Sequence, residues 1–420
     1  MKIFKFGGAS IRNADCIRNV VDIIRNHAGG PILVVVSALG KTTNHLEELV
    51  TAFFENRPDK QTVFESIRDG HRRILEELTE GEYGHYGAEL EKQFHRLEVR
   101  LQQESSENYD FEYDQIVSFG EIFSTRLLSA YLEKRQVAHE WMDARRLVCT
   151  DNRYREGQVD WEKTERRIQR HIQERYPDGV DRLLLTQGFI AGTPEKFPIT
   201  LGREGSDYSA AIFAYSLDAE SVTIWKDVDG LLNADPKVFP DAVKLEQIPY
   251  REAIELSYYG ASVIHPKTIK PLQNKNIPLY VKSFLHPEAS GSEIHTFKEY
   301  RRIPCFIRKT NQVLLSISSK DFSFIAEENL STIFALFALF GVKINLMQNS
   351  AISFSVCVDA KHTLPQLIEE LQTEFAVRYN ENVELLSIRH YEENSLKPFV
   401  SGRKVMMEQR SRSMLQVVLK

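Results

Sequence analysis

Cysteine is scarce in this sequence, and what there is lies scattered. The four residues Cys16, Cys149, Cys305 and Cys357 form no C-x-x-C pair, so neither a disulfide framework nor a zinc site is expected, and a reducing cytoplasm fits best. A basic excess is also lacking. Lys and Arg number 53 against 59 Asp and Glu, a formal net charge of -6, which argues against nucleic acid as the main partner. Long apolar runs are missing too. The longest, Ile333 to Phe340, falls far short of the ~20 residues a membrane helix needs and reads as a buried helix. The opening residues MKIFKFGGAS contain no apolar core segment, so no secretory signal is expected. What remains is a soluble globular protein whose 420 residues suggest two or three domains.

The first fifty residues alternate strand and helix. Lys2 to Phe6 reads as a strand broken by Gly7-Gly8. Ile17, Val20, Val21 and Ile24 then fall on one helical face, and Ile32 to Val36 is a continuous β-branched run suited to a parallel strand covered on both sides. This is a βαβ unit, so a doubly wound, mostly parallel α/β sheet is expected. Residues 45–135 read as charged helices, interrupted at Tyr109 to Glu112 and resuming from Asp114 to about Arg135. Strand-like runs return at Val137–Met142, Arg182–Gln187, Val222–Lys226 and Ile277–Lys282.

The order changes after a boundary near 290–305, marked by His286-Pro287, Ser290-Gly291-Ser292 and Arg301-Arg302. Beyond it the runs Gln312–Ser318, Asn329–Phe340, Val342–Met347, Ile352–Val358, Leu364–Phe375 and Val383–Ile388 approximate βαββαβ, a ferredoxin-like α+β domain. The tail is too short for a second copy but ends in a strand-like run, Met414 to Leu419.

Five segments could carry chemistry. Lys5, Gly7 and Gly8 combine a cation, bare amides and a following helix, as phosphate binding needs, though a strand ending in Gly-Gly is often only a turn. Gly40-Lys41-Thr42 tempts a P-loop reading, which fails because Val35 stands where the motif needs glycine. Its loop still brings hydroxyls of Ser37 and Thr43 to a sheet's carboxyl edge, unless Thr43 or Asn44 merely caps a helix. Glu121 lies in an otherwise apolar helix and needs a partner, either a ligand ammonium or a structural cation. In Gly202-Arg203-Glu204-Gly205-Ser206-Asp207, the arginine can grip a carboxylate and Ser206 meets a helix N-terminus, whereas an N-capped helix would explain only Ser206 and Asp207. Finally, Lys226, Asp227 and Lys237 form either a phosphate-facing loop or a solvated one.

Taken together, KFGGAS, S-x-x-x-x-x-T-N at Ser37 to Asn44, SFGE, GFIAGT, TLGREGSDYSA, WKDVDGLLNADPK and GASVIHP resemble, in order, the aspartate kinase branch of the amino-acid kinase superfamily. The run NLSTIFALFALFGVKINLMQNS resembles the ACT module that follows in that family. The resemblance implies a three-layer kinase domain over residues 1–295, an ACT domain over 305–390 and a truncated second ACT element over 391–420. Nothing in the tail reads as a dinucleotide-binding segment, so a monofunctional form is expected. It further implies ATP and Mg2+ as cofactors, L-aspartate as substrate, lysine or threonine as effector, and a cytoplasmic homodimer.

By the same resemblance Lys5 and Asp207 serve phosphoryl transfer, with Gly7 and Gly8 donating amides. Ser37, Thr43, Glu121 and Arg203 hold aspartate. Ser206, Lys226, Asp227, Leu232, Lys237 and Ser262 line the nucleotide side, and Asn345 and Ser350 face the effector. No dedicated protein metal site is implied. Three positions depart from the family pattern. Glu204 replaces a glycine, Lys237 an arginine and Ser262 a lysine, while Lys226 could restore part of the lost charge. A non-catalytic amino-acid sensor is the competing class, supported by Glu204 and Ser262.

Overall fold

A computed structural model describes every residue except Ala28, Ser262, Val263 and Phe322. The chain divides into two compact units: Met1–Leu231 with Lys244–Ile254 and Val263–Tyr300, and Leu232–Val243 with Glu255–Ser262 and Arg301–Lys420. The second unit thus takes two segments from within residues 1–295.

The first unit is built on an eight-stranded sheet. Its strands are β1 (Lys2–Phe6), β2 (Ile32–Val36), β3 (His139–Met142), β4 (Leu183–Gln187), β5 (Ser221–Lys226), β6 (Gln247–Pro249), β7 (Leu279–Ser283) and β8 (Ser292–His295). The order is β6-β8-β7-β5-β1-β2-β4-β3, parallel from β7 to β3 and antiparallel between β7 and β8. All five residues of β2 are buried, as a central parallel strand requires. Helix α1 (Ala14–Asn26) packs Ile17, Val20, Val21 and Ile24 against the sheet, and the Asn13 side chain caps its start by accepting from Cys16 N.

Helices α2 (Thr42–Phe54), α3 (Lys60–Leu78), α4 (Ala88–Gln102), α5 (Tyr109–Val117) and α6 (Phe119–Lys134) share one core with Phe64, Leu75, Phe94, Leu97 and Phe123. The expected interruption at Tyr109 is instead the first turn of α5. Asn108 Oδ1 accepts from Phe111 N at 3.1 Å, and Asp110 and Glu112 favour the positive end of the helix. The single helix expected from Asp114 is two, divided at Ser118. Later helices are α7 (Trp161–Arg175), α8 (Gly205–Ser216) and α9 (Pro266–Asn274).

The second unit holds β9 (Cys305–Ser319), α10 (Glu327–Leu339), β10 (Ile344–Asn349), β11 (Ser353–Asp359), α11 (Leu364–Glu374), β12 (Phe375–Arg389), β13 (Val405–Arg410) and β14 (Met414–Leu419). Its antiparallel sheet runs β10-β11-β9-β12-β14-β13. The first four strands with the two helices form a ferredoxin-like βαββαβ unit. The tail contributes the β13–β14 hairpin to the same sheet, with β14 on the outer half of β12 from Glu384 to Arg389.

Helix α10 corrects the buried-helix expectation. Only Ile333 and Phe337, one turn apart, are buried against the sheet; Phe334 is 41% and Leu339 76% exposed. One sheet covers one stripe of a helix, however apolar its remaining faces. Among the described residues, no helix is long and apolar enough to cross a membrane.

Candidate active site

Parallel β2, β1 and β5 are neighbours, and at their carboxyl ends lie Ser37, just after β2, and Lys5 and Lys226, within the last residues of β1 and β5. The loops after β1 and β2 meet backbone to backbone: Ser37 N donates to Phe6 O and Gly40 N to Gly8 O, each at 3.1 Å. A Cβ on Gly8 would stand 2.8 Å from Ala38 O and 2.9 Å from Gly40 O, which no side chain accommodates without moving backbone. Gly7 borders the cation, since its missing Cβ would lie 3.3 Å from Lys5 Nζ.

These loops, α6 and the start of α8 enclose a cleft of about 780 Å³. It is lined by Lys5, Ser37, Thr43, Glu121, Arg203, Ser206, Asp207 and Lys226, all chosen on sequence grounds, and also by Tyr113, Arg153, Arg155, Phe189, Thr200 and Glu204. Lys5 Nζ lies 2.6 Å from Asp207 Oδ1, and Lys226 Nζ lies 3.9 Å from Asp207 Oδ2. Both lysines therefore crowd one buried carboxylate. Ser206 Oγ donates to Ser37 Oγ at 3.1 Å, and Ser124 Oγ to Ser37 O at 2.7 Å. The capping readings do not hold. Residue Glu204 is the N-cap of α8 and Lys41 that of α2, neither with a side-chain cap bond.

Glu121 is buried, and its Oε1 accepts from Ala38 N at 3.1 Å. Its buried Oε2 has no hydrogen-bond partner. Burial pushes the carboxyl up to about 8, against the opposing pull of the Ala38 amide and the Lys5 charge. Burial favours the protonated carboxyl, and an ammonium group brought to the free Oε2 would favour its ionised form.

Asp114 escaped the sequence reading. It is fully buried and accepts from Arg155 N at 2.8 Å, Thr200 N at 3.1 Å and Thr200 Oγ1 at 2.7 Å. It ties the cleft-lining residues Arg155, on a loop, and Thr200, on a short strand, to α5. Burial pushes it up to about 6, with those three bonds pulling the other way. Its signal was an acid among the apolar residues Phe111, Tyr113, Ile116 and Val117. Arg155, another omission, stacks 4.3 Å from the Tyr113 ring centroid.

Other expected positions are not gathered here. Asp227 is exposed and does not line the cleft. Leu232 and Lys237 lie in a segment of the second unit, where Lys237 N donates to Asp235 Oδ1 at 2.9 Å. Ser262 lies outside the described residues. In the second unit, Asn345 Oδ1 accepts from Lys309 Nζ at 2.8 Å. Its Nδ2 donates to Gln312 Oε1 at 2.8 Å and Asp359 Oδ1 at 3.1 Å. Ser350 bonds locally with Ser353 in an exposed turn.

A parallel sheet with lysines and a helix N-terminus at its carboxyl edge defines an α/β protein equipped for phosphorylated ligands. The amino acid kinase family model matches residues 1–283. Bifunctional aspartokinase/homoserine dehydrogenase 2 of Arabidopsis thaliana is 33% identical over 299 residues, covering 70% of this chain and 32% of that protein. Lysine-sensitive aspartokinase 3 of Escherichia coli is 30% identical over 364 residues, covering 85% of this chain and 78% of that protein. The crystal structure of E. coli aspartokinase III in complex with aspartate and ADP superposes with a TM-score of 0.83 at 27% identity, covering 100% of this chain and 96% of that chain. The chain belongs to the amino acid kinase family, on its aspartokinase branch. It spans about a third of the length of the bifunctional plant relatives it matches.

Proposed function

We propose that this protein transfers the γ-phosphoryl group of MgATP to the β-carboxylate of L-aspartate, giving 4-phospho-L-aspartate, the first step toward lysine, threonine and methionine. The observation that carries this reading is the free, buried Oε2 of Glu121 in a cleft that also holds Arg203 and the Lys5–Asp207 pair. An α-amino acid has an ammonium and a carboxylate to match the first two, and a transferring phosphoryl group matches the third.

In this mechanism Glu121 takes the substrate ammonium and Arg203 its α-carboxylate, bidentately. Ser37 and Thr43 point the β-carboxylate at the phosphorus. A β-carboxylate oxygen bonds to the γ-phosphorus as the bond to ADP breaks. No general base is needed, because the nucleophile is already ionised at neutral pH. Lys5, held by Asp207, and the amides of Gly7 and Gly8 offset the charge of the transferring group.

Ser206 and Lys226, with Asp227, Leu232, Lys237 and Ser262, serve the nucleotide side. The cations Lys5 and Lys226 and the N-terminus of α8 suit a polyphosphate. Mg2+ would be held by the ATP phosphates, which suit a hard cation that keeps much of its water.

The functional parts are a kinase region over 1–295, an ACT region over 305–390 and a truncated element over 391–420. A lysine or threonine effector near Asn345 and Ser350 would have to displace the Lys309–Asn345 bond. Pairing as a homodimer is supported by the position of β10 at the sheet edge among the described residues and by exposed Phe324, Leu339, Met347 and Ile352; a cytoplasmic setting is supported by the four cysteines, which are all free thiols. ADP release that requires L-aspartate and fails with L-glutamate tests the assignment. Nucleotide binding without aspartate-dependent ADP release would instead favour the sensor.

A further inference from the structure

Glu204 takes no part in the steps above, yet its backbone is costly. It sits at φ 53 and ψ 29, in the left-handed region that glycine enters freely and side chains avoid. As N-cap of α8 it could turn its carboxylate onto the helix's own amides, and it makes no such bond. Its Oε2 instead accepts from His265 N at 2.9 Å. His265 is the N-cap of α9, and its Nδ1 accepts from Lys267 N at 3.2 Å. Helices α8 and α9 pack against each other within the first unit. One side chain thus links the two helix starts, directly beside Arg203.

We propose that Glu204 is a positioning residue, a strut that locks the start of α9 to the arginine loop so that both sides of the cleft are ordered together. The proposal rests on the kinase reading for its kinetic consequence, because there Arg203 serves aspartate while Ser206, one turn further, serves the nucleotide. The strut itself needs an acceptor oxygen at the end of a chain of this length. It does not need a charge, although a charge strengthens the bond. Glutamine supplies the oxygen, whereas alanine and glycine do not. A cation ligand or a repulsive carboxylate would fail equally in all three variants, so the glutamine variant separates the roles.

The test compares the full-length protein with Glu204→Gln, Glu204→Ala and Glu204→Gly. The first readout is hydrogen exchange of a peptide spanning 264–270, without ligands. Wild type and Glu204→Gln should be equally protected, and Glu204→Ala and Glu204→Gly should exchange about tenfold faster, the size of one good hydrogen bond. The second readout is steady-state kinetics. Glu204→Gly should raise KM for aspartate and for ATP together by about tenfold, leave kcat within about threefold, and be rescued by Glu204→Gln. Glycine relieves the left-handed strain, so its variant is expected to fold, and a melting curve checks this. Glutamine as impaired as glycine, or glycine indistinguishable from wild type in exchange, overturns the strut. Wild type that never turns over aspartate overturns the kinase reading alone, and the exchange result still decides the strut.

Discussion

The ammonium of Lys5, on the first strand, stands 2.6 Å from Oδ1 of Asp207 in the first turn of α8. The contact joins two elements far apart in sequence across the floor of the cleft, and both side chains are largely buried. Such a pair acts as a unit. Lys5→Met and Asp207→Asn should each lower kcat by about a hundredfold or more, the usual scale for a charge-stabilising group. The double variant should fall little further than the worse single one. Single-turnover kinetics on the three variants would check both points, and additive losses would show that the residues work independently.

On the proposed reading, Glu121 makes aspartate binding depend on pH. Its folded-state value of about 8 lies above the ordinary carboxylate range, so the free enzyme gains its anion only as pH rises. The profile of kcat/KM for aspartate should climb to a plateau above about 8. Glu121→Gln should abolish the climb and raise KM for aspartate at least a hundredfold, the scale of a lost charged partner.

The same group makes a stability prediction of the opposite sign. Below its unfolded value the carboxyl is protonated in both states. As pH rises toward 8, the unfolded chain releases the proton first, so the unliganded protein loses stability across that window. Melting temperatures between pH 5 and 9 should fall more for wild type than for Glu121→Gln. Equal slopes would show that Glu121 is ionised throughout.

Arg203 lines the cleft from an exposed position, as Arg153 and Arg155 do. Lysine keeps its charge but loses the planar fork. Arg203→Lys should raise KM for aspartate by roughly tenfold to a hundredfold, with a smaller change in KM for ATP, worth ~1–3 kcal/mol. Initial rates over a matrix of both substrates would separate the two constants.

Much of this site could be read along the chain because it sits where strand runs end. The all-apolar Ile32–Val36 announces a central parallel strand, and the loops after it and after Phe6 hold the polar residues such a sheet presents at its edge. The apolar neighbours of Asp114 mark it as buried, but its role was not legible, because its partners Arg155 and Thr200 lie distant in sequence. Ile190–Gly192 and Pro198–Thr200 pair as a ribbon too short for any periodicity to show. The run from Ile333 to Phe340 misled for another reason: apolarity says what a face prefers, and only the fold says whether anything covers it.

Asp114 also supports a stability prediction. Asp114→Ala removes the acceptor for Arg155 N, Thr200 N and Thr200 Oγ1 and leaves the two buried donors of Thr200 unsatisfied. The loss should be about 2–4 kcal/mol, read from urea unfolding curves. A loss below about 1 kcal/mol would mean that water replaces the carboxylate.

The most direct test of the central claim is chemical trapping of the product. The protein is mixed with MgATP, hydroxylamine and either L-aspartate or L-glutamate, and the hydroxamate is measured. The account predicts aspartyl hydroxamate in proportion to enzyme and time, none with glutamate, and none from Lys5→Met at matched concentration. Bound nucleotide with no hydroxamate from aspartate would contradict it.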